Sequence, residues 1–413
     1  MLHRISLSTF IVLAFLCHSG CQQPDQPLPL EKVEKNYDRA LPPGQFALRK
    51  VTDPSKYPHF GEAWFRARGI DLRKSVLNSL EYLEAPSSRT YYPMGPITHE
   101  RAMASLRQFL DVLDHAESPE VLDQLVRERF DVYTSDGWDG SGTVLFTGYY
   151  SPIFEGSLTR TEQFRYPIYK LPPEIEKDAE GNVVGGPWAS REEIERNHLL
   201  EGNEIAWLGD RFEAYVFTVQ GSGFIRLPDD TLYEIGYAGH NGHEYTSIGR
   251  ALVEDGKIDR YRLSLASMIR HFKQYPQDMD TYLYQNKRTV FFQDSKGGPY
   301  GCLGKPVTAY HTIATDKEIF PRGCLAFVNT RIPNRDDPRG RSRAFRCFAM
   351  DQDRGAAIRA PGRCDIYMGV GDEAEKIAGF PPSEGRLYYL FAKEGIEDVE
   401  AVTATMDGGR NSE

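Results

Sequence analysis

Two aspartates in the last quarter of the chain stand in contexts suited to acid–base work. Asp353 ends Asp351-Gln352-Asp353 and opens Asp353-Arg354-Gly355-Ala356-Ala357-Ile358, while Asp365 lies in Cys364-Asp365-Ile366-Tyr367-Met368-Gly369. Cleaving a glycosidic bond needs a carboxylic acid kept protonated beside the scissile oxygen, usually with a second carboxylate that activates water or attacks carbon. Asp365 suits the first role. Ile366, Tyr367 and Met368 follow it in a strand-like run, and partial desolvation raises a carboxyl pKa. A plainer alternative stays open here: both aspartates could be polar strand ends bonded to loop amides. Gln220-Gly221-Ser222-Gly223 is a second candidate. Its glycines permit close backbone approach, and Gln220 and Ser222 can donate to sugar hydroxyls, although an ordinary Gly-rich hairpin loop reads the same way. It is neither a phosphate loop nor a nucleophile elbow. Tyr237-Ala238-Gly239-His240-Asn241-Gly242-His243 sets two histidines three apart. With Gly and Asn between them and no carboxylate-rich partner motif, a metal site is not expected.

The elements that must position these residues change character along the chain. Val76, Leu77, Leu80 and Leu83, then Met103, Leu106, Leu110 and Leu113, recur at helical spacing. Thr98 suits the N-cap of the second helix, and Ser118-Pro119-Glu120 opens a third. From Gly142 the residues become β-branched and aromatic, up to Pro152. Ser190 and Glu193 form a capping box for one short helix. Strands are predicted over 212–219, 224–227 and 232–237. A helix follows, carrying Leu265, Met268, Ile269 and Phe272 on one face. Short strands are predicted again at 290–293, 307–309, 325–329, 345–350, 365–368 and 387–391, parted by Gly and Pro as in a small barrel.

The chain has 413 residues, 49 basic against 59 acidic, for a net charge of −10. Without a Lys or Arg run, that balance argues against nucleic acid as a partner. His3 and Arg4 precede a short apolar run from Phe10 to Cys17, and small residues lead into Cys21, the pattern of an export leader. Ser19-Gly20-Cys21 is similar to a bacterial lipobox, with His18 where an aliphatic residue is usual, so Cys21 is the expected lipidation site. Pro24, Pro27, Pro29, Pro42 and Pro43 among polar residues read as a tether. Cys302, Cys324, Cys347 and Cys364 contain no C-x-x-C pair, and in an exported protein they read as one or two disulfides. Four buried free thiols are the alternative.

Six strings, in order, resemble the membrane-bound lytic murein transglycosylase A family. They are F-T-G-Y-Y-S-P at 146–152, Y-P-I-Y-K-L-P-P at 166–173, Q-G-S-G-F-I at 220–225, Y-A-G-H-N-G-H-E-Y-T-S-I-G-R at 237–250, D-R-G-A-A-I at 353–358 and C-D-I-Y-M-G-V-G at 364–371. The resemblance implies a mainly β fold with peripheral helices: a double-psi β-barrel, an inserted second β domain, and a glycan cleft between them. It divides the chain into a leader (1–21), a tether (22–45), an N-terminal helical part of the barrel domain (46–135), the insert (140–250), a helical connection (251–285) and the barrel (286–400). It makes Asp365 the catalytic acid and Asp353 its partner. Ala356 stands where the family has a second glycine, and the link from Arg359 to Cys364 is one residue longer than in the family. The implied reaction cuts the bond from N-acetylmuramic acid to N-acetylglucosamine, with the muramoyl C6 hydroxyl closing a 1,6-anhydro ring. No cofactor is implied. Tyr149, Tyr150, Gln220, Ser222, Tyr237 and Asn241 are the expected glycan contacts, since such clefts present aromatic faces and amide or hydroxyl donors. The expected partners are peptidoglycan strands and, through the lipid, the outer membrane facing the periplasm. A hydrolase using both aspartates and a non-catalytic wall-binding protein are the rival readings.

Overall fold

A computed structural model describes residues 35–395, apart from 179–180, 260–261, 335–336, 338–340 and 380–381. The leader, with Cys17 and Cys21, and the tether as far as residue 34 lie outside the described residues. Among the described residues no helix is long and apolar enough to cross a membrane. Strands in chain order are β1 (Leu48–Lys50), β2 (Phe130–Ser135), β3 (Val144–Ser151), β4 (Ile153–Ser157), β5 (Tyr166–Tyr169), β6 (Glu204–Leu208) and β7 (Gly223–Arg226). They continue as β8 (Leu232–His240), β9 (Val290–Asp294), β10 (Thr312–Ala314), β11 (Leu325–Pro333), β12 (Ser342–Asp353), β13 (Arg363–Val370) and β14 (Ser383–Ala392). Helices are α1 (Trp64–Ala67), α2 (Ile70–Glu84), α3 (His99–His115), α4 (Pro119–Arg129) and α5 (Arg191–Arg196). The later ones are α6 (Arg211–Gln220), α7 (Ile248–Glu254), α8 (Leu265–Gln274), α9 (Met279–Leu283) and α10 (Asp372–Ala378).

Eight strands form one sheet in the order β1-β2-β14-β11-β12-β10-β13-β3. It closes on itself because Ser383–Gly385 of β14 also pairs with Val144–Phe146 of β3. The closed part is a barrel of β14, β11, β12, β10, β13 and β3, with β2 and β1 continuing from β14. β10–β12 and β13–β3 are its parallel pairs. This is the barrel the family resemblance implies. Its outer wall is covered by α2, α3 and α4. Their apolar stripes (Leu72, Val76 and Leu83; Leu106, Phe109 and Val112; Leu122 and Val126) are buried with Phe327 and Phe348 of the barrel in one core. Phe60 and Phe327 meet edge to face with centroids 5.0 Å apart. Thr98 and Ser118 cap α3 and α4 as expected, accepting from Arg101 N at 3.1 Å and Val121 N at 3.3 Å.

The second sheet runs β5-β6-β4-β7-β8-β9. Its core of Ile168, Ala206, Leu208, Phe217, Ile225, Ile235 and Phe292 is separate from the barrel's. The chain enters it where β3 passes through Pro152 into β4, and leaves it after β9. β9 therefore belongs to the second sheet, not to the barrel strands expected from residue 286 on.

Three expectations about elements need correction. Residues 212–219 are helical, within α6, and not a strand. Aromatic and β-branched residues favour strands weakly, but here Asp210 caps the N-terminus and Gly221, at φ 82°, closes the C-terminus. Those caps, with Phe212 and Ala214–Thr218 all buried, override propensity. The strand expected at 307–309 lies instead at Thr312–Ala314. β2 is a strand at the end of the stretch read as helical.

The four described cysteines are free thiols, so the expected disulfide is not formed. Geometry separates the three buried ones. Cys347 faces Val328 across β11–β12, while the Cys324 carbonyl receives Asp351 N. The two cysteines are thus about four residues apart along the ladder, roughly 13 Å, against the ~7 Å Cα limit of a bridge. Cys364 lies on β13, which β10 separates from β12 by two strand spacings, roughly 10 Å. Cys302 is exposed. Burial pushes the Cys324 and Cys347 thiols up to about 12, which makes them inert packing groups.

Candidate active site

Register brings the two aspartates to one end of the barrel. Ala314 of β10 pairs with Asp353 on one side and with Asp365 on the other. Asp365 in turn pairs with Thr147 of β3, and Tyr367 with Tyr149. Since side chains alternate, the pleat puts Thr147, Tyr149 and Ser151 on one face of β3 beside Asp365 and Tyr367 of β13. The opposite face carries Phe146, Tyr150, Cys364, Ile366 and Met368 into the barrel core.

On the outer face the groups are interlocked. The Thr147 hydroxyl donates to Asp365 Oδ1. The Tyr149 hydroxyl donates to Asp353 Oδ2 at 2.7 Å, and Asp353 Oδ1 accepts from Cys302 N at 3.0 Å and Arg354 N at 2.8 Å. Tyr149 and Tyr367 rings lie 5.1 Å apart, and the Tyr367 hydroxyl meets Ser151 Oγ at 3.0 Å. The loop after Asp353 lies against the site: a Cβ on Gly355 would stand 2.8 Å from Ile358 Cγ1 and 3.9 Å from Asp365 Oδ2. Only glycine permits that approach. Asp316 holds the far end of this loop, accepting from Ala360 N at 3.0 Å.

Electrostatics separates the two carboxyls. Burial, reinforced by the charge of Asp353 and opposed by Arg363, pushes Asp365 up to about 6. Burial also raises Asp353, but the Tyr149 hydroxyl and the Arg354 and Cys302 amides oppose it. Asp365 is therefore the less hydrogen-bonded carboxyl of the two. Both oxygens of Asp353 are already committed to fixed donors. Replacing Asp353 with Asn removes the charge that resists ionisation of Asp365. The alkaline limb of the wild-type kcat/KM profile is expected near pH 6, and is expected to move to lower pH in Asp353→Asn. A limb that stays put or moves upward in a pH series would contradict this coupling.

The expected glycan contacts divide. Tyr149 faces the site. Gln220 ends α6 and accepts from Tyr150 N at 3.4 Å, which ties the second sheet to β3. Ser222 is half-buried, and Tyr237, 41% exposed on β8, lies against Gly221. Two expectations are corrected. Tyr150 is 3% exposed because period-2 alternation turns it into the core next to Tyr149. Asn241 is fully buried. Its amide donates to the carbonyls of Ala189 and Lys287, both at 2.9 Å, and its oxygen accepts from Thr289 N at 2.9 Å, so nothing is left for a sugar. His240 and His243 are used locally, on Gly242 N and the Trp188 carbonyl. Thr147 and Tyr245 are residues that sequence reasoning passed over. Tyr245, from the second domain, lies within coulombic reach of Asp365. Both fall inside the matching strings, but only the tertiary structure brings them near the carboxyl.

Residues 145–293 match the MltA specific insert domain, and residues 311–391 match the 3D domain. The chain is 31% identical over 274 residues to membrane-bound lytic murein transglycosylase A of Escherichia coli strain K12, covering 65% of this chain and 71% of that protein. This chain belongs to the membrane-bound lytic murein transglycosylase A family. The Vibrio cholerae member is 31% identical over 262 residues, covering 62% of this chain and 67% of its own. Among solved structures, a membrane-bound lytic murein transglycosylase from Agrobacterium tumefaciens superposes with TM-score 0.68 at 25% identity, over 87% of this chain and 99% of that one. The Escherichia coli MltA structure with bound chitohexaose shares the fold, with TM-score 0.64 at 24% identity, over 86% of this chain and 99% of that one. This chain thus shares its overall fold with solved members of the family.

Proposed function

We propose that the protein is a lytic transglycosylase of peptidoglycan that uses Asp365 first as acid and then as base. The observation that carries this reading is the asymmetry of the two carboxyls. Asp365 is raised to about 6 and its one hydrogen-bond donor is the Thr147 hydroxyl, whereas Asp353 is held by three donors. A hydrolase needs a second carboxylate free to activate water or attack C1. Asp353 is not free. The muramoyl C6 hydroxyl supplies the nucleophile instead, so a single acid/base suffices.

Asp365 gives its proton to the departing glycosidic oxygen as the C1–O bond breaks. The resulting carboxylate then takes the proton of the C6 hydroxyl as that oxygen bonds to C1. Proton count balances without water. Asp353, oriented by Tyr149, keeps its charge near the cationic sugar carbon and stabilises it. Tyr237, Gln220 and Ser222 line the second domain's side as sugar contacts. The rival binding-protein reading is tested with purified protein and purified sacculi. Release of soluble muropeptides is expected; binding without release would overturn the enzymatic reading.

Relatives in the family are named as membrane-bound, and Cys21 with its leader supports a lipid anchor in the outer membrane. The Cys21→Ser protein is expected to move from the membrane fraction to the soluble periplasmic fraction. Wild-type protein that is already soluble would contradict the anchor.

A further inference from the structure

Arg354 follows Asp353 and is exposed, and Arg359 is exposed farther along the same loop. The Arg354 guanidinium reaches the second domain, where a Cβ on Gly181 would stand 3.9 Å from its Nη2. From that domain Arg288, half-buried ahead of β9, gives Nη1 to the His243 carbonyl at 2.9 Å and keeps its other N–H donors. Lys177 gives Nζ to the Ala238 carbonyl at 2.5 Å, next to Tyr237. Arg288, Arg354, Arg359 and Lys177 have no ion pair among the described residues, in a chain with 59 acidic side chains. Elsewhere arginines find carboxylates: Arg211 binds Glu195 at 2.8 Å, and Arg101 binds Asp131 at 2.8 Å. Glu244 lies within coulombic reach of Arg288, and Asp353, next to Arg354, is committed as described. Burial first, then Arg288, Arg354 and Lys177, push the His240 imidazole down to about 4, so it stays neutral and adds no charge at neutral pH.

We propose that Arg288, Arg354 and Arg359 form an anion subsite beside Asp353 that takes a carboxylate carried by the muramoyl unit, from its stem peptide or its lactyl group. The inference rests on the peptidoglycan reading above. Cations gathered without ion-pair partners repel one another, and a bound carboxylate relieves that repulsion through charge-assisted, bidentate hydrogen bonds. The sugar rings of the strand are neutral, so its acid groups are those of the stem peptide, or of the lactyl group once the peptide is removed. The subsite spans both domains next to the catalytic pair, which lets it fix the strand's register relative to Asp365.

Three substrates test it: intact glycan strands, strands stripped by an amidase so that only lactyl acids remain, and stripped strands whose acids are converted to amides. Wild-type KM is expected to be roughly tenfold lower for intact strands than for amidated ones, about the value of one charge-assisted contact. In the Arg354→Gln/Arg359→Gln protein that ratio is expected to fall towards one, and Arg354→Lys/Arg359→Lys should restore part of it. A low KM for intact strands alone assigns the stem peptide, and a low KM for stripped strands as well assigns the lactyl acid. Equal wild-type KM on all three, or a ratio the double Gln variant leaves unchanged, overturns the subsite. Absence of anhydro products from every substrate with wild-type protein would instead overturn the lytic reading on which it rests.

Discussion

Asp365→Asn is expected to lower turnover of glycan strands by about a thousandfold or more, because no neighbouring group can deliver the proton, while binding changes little. The same substitution should also stabilise the fold near neutral pH. Folding raises the Asp365 pKa from 3.8 to about 6, so the native state prefers the protonated form. Stability from that preference is complete below 3.8 and is lost as pH rises to about 6. An amide at this position never ionises and avoids the loss. Thermal melts should therefore show the variant above the wild type at pH 7.5, with the gap closing towards pH 4. Near-normal turnover, or a lower melting point at pH 7.5, would contradict the assignment of Asp365 as a desolvated acid.

Removing Lys317 is expected to have the largest effect on stability. Its ammonium is paired with Asp351 inside the barrel, both side chains fully buried. Asp351 also accepts from the Tyr389 hydroxyl at 2.7 Å and the Thr315 hydroxyl at 2.8 Å, and Lys317 donates to Thr315 at 3.0 Å. Losing one partner leaves a buried uncompensated charge, a cost of about 3–5 kcal/mol. Lys317→Met should therefore unfold at markedly lower denaturant than the wild type. Lys317→Met/Asp351→Leu should recover most of the loss, since a hydrophobic pair of similar volume is often neutral or better. A double variant as unstable as the single one would show that the hydroxyl network, not the ion pair, carries the barrel interior. Asp351 lies two residues before Asp353 on β12, so the pair also anchors the strand that ends in the active site.

Much of this site could be read from local residues. The D-I-Y and D-R-G-A-A-I strings locate Asp365 and Asp353, because motif and strand pattern coincide there. The caps at Thr98, Ser118 and Ser190 locate three helices, because capping is a local hydrogen-bond problem. What escaped depends on tertiary context. Residues 212–219 look like a strand until their burial on all sides favours a capped helix. Tyr150 and Asn241 look like ligand contacts until the pleat and the 287–289 backbone consume them. The cysteines look like a disulfide framework until strand register sets Cys324, Cys347 and Cys364 too far apart. Lys317 carries no sequence mark at all, because its partner lies on a strand more than 30 residues away.

The central claim is that the sugar's own C6 hydroxyl, and not water, attacks C1. Digestion of sacculi in water enriched in heavy oxygen, followed by mass analysis of the muropeptides, tests it most directly. The account predicts products one water lighter than hydrolysis products, carrying no heavy oxygen. Reducing-end products labelled with heavy oxygen would contradict it and make the enzyme a hydrolase.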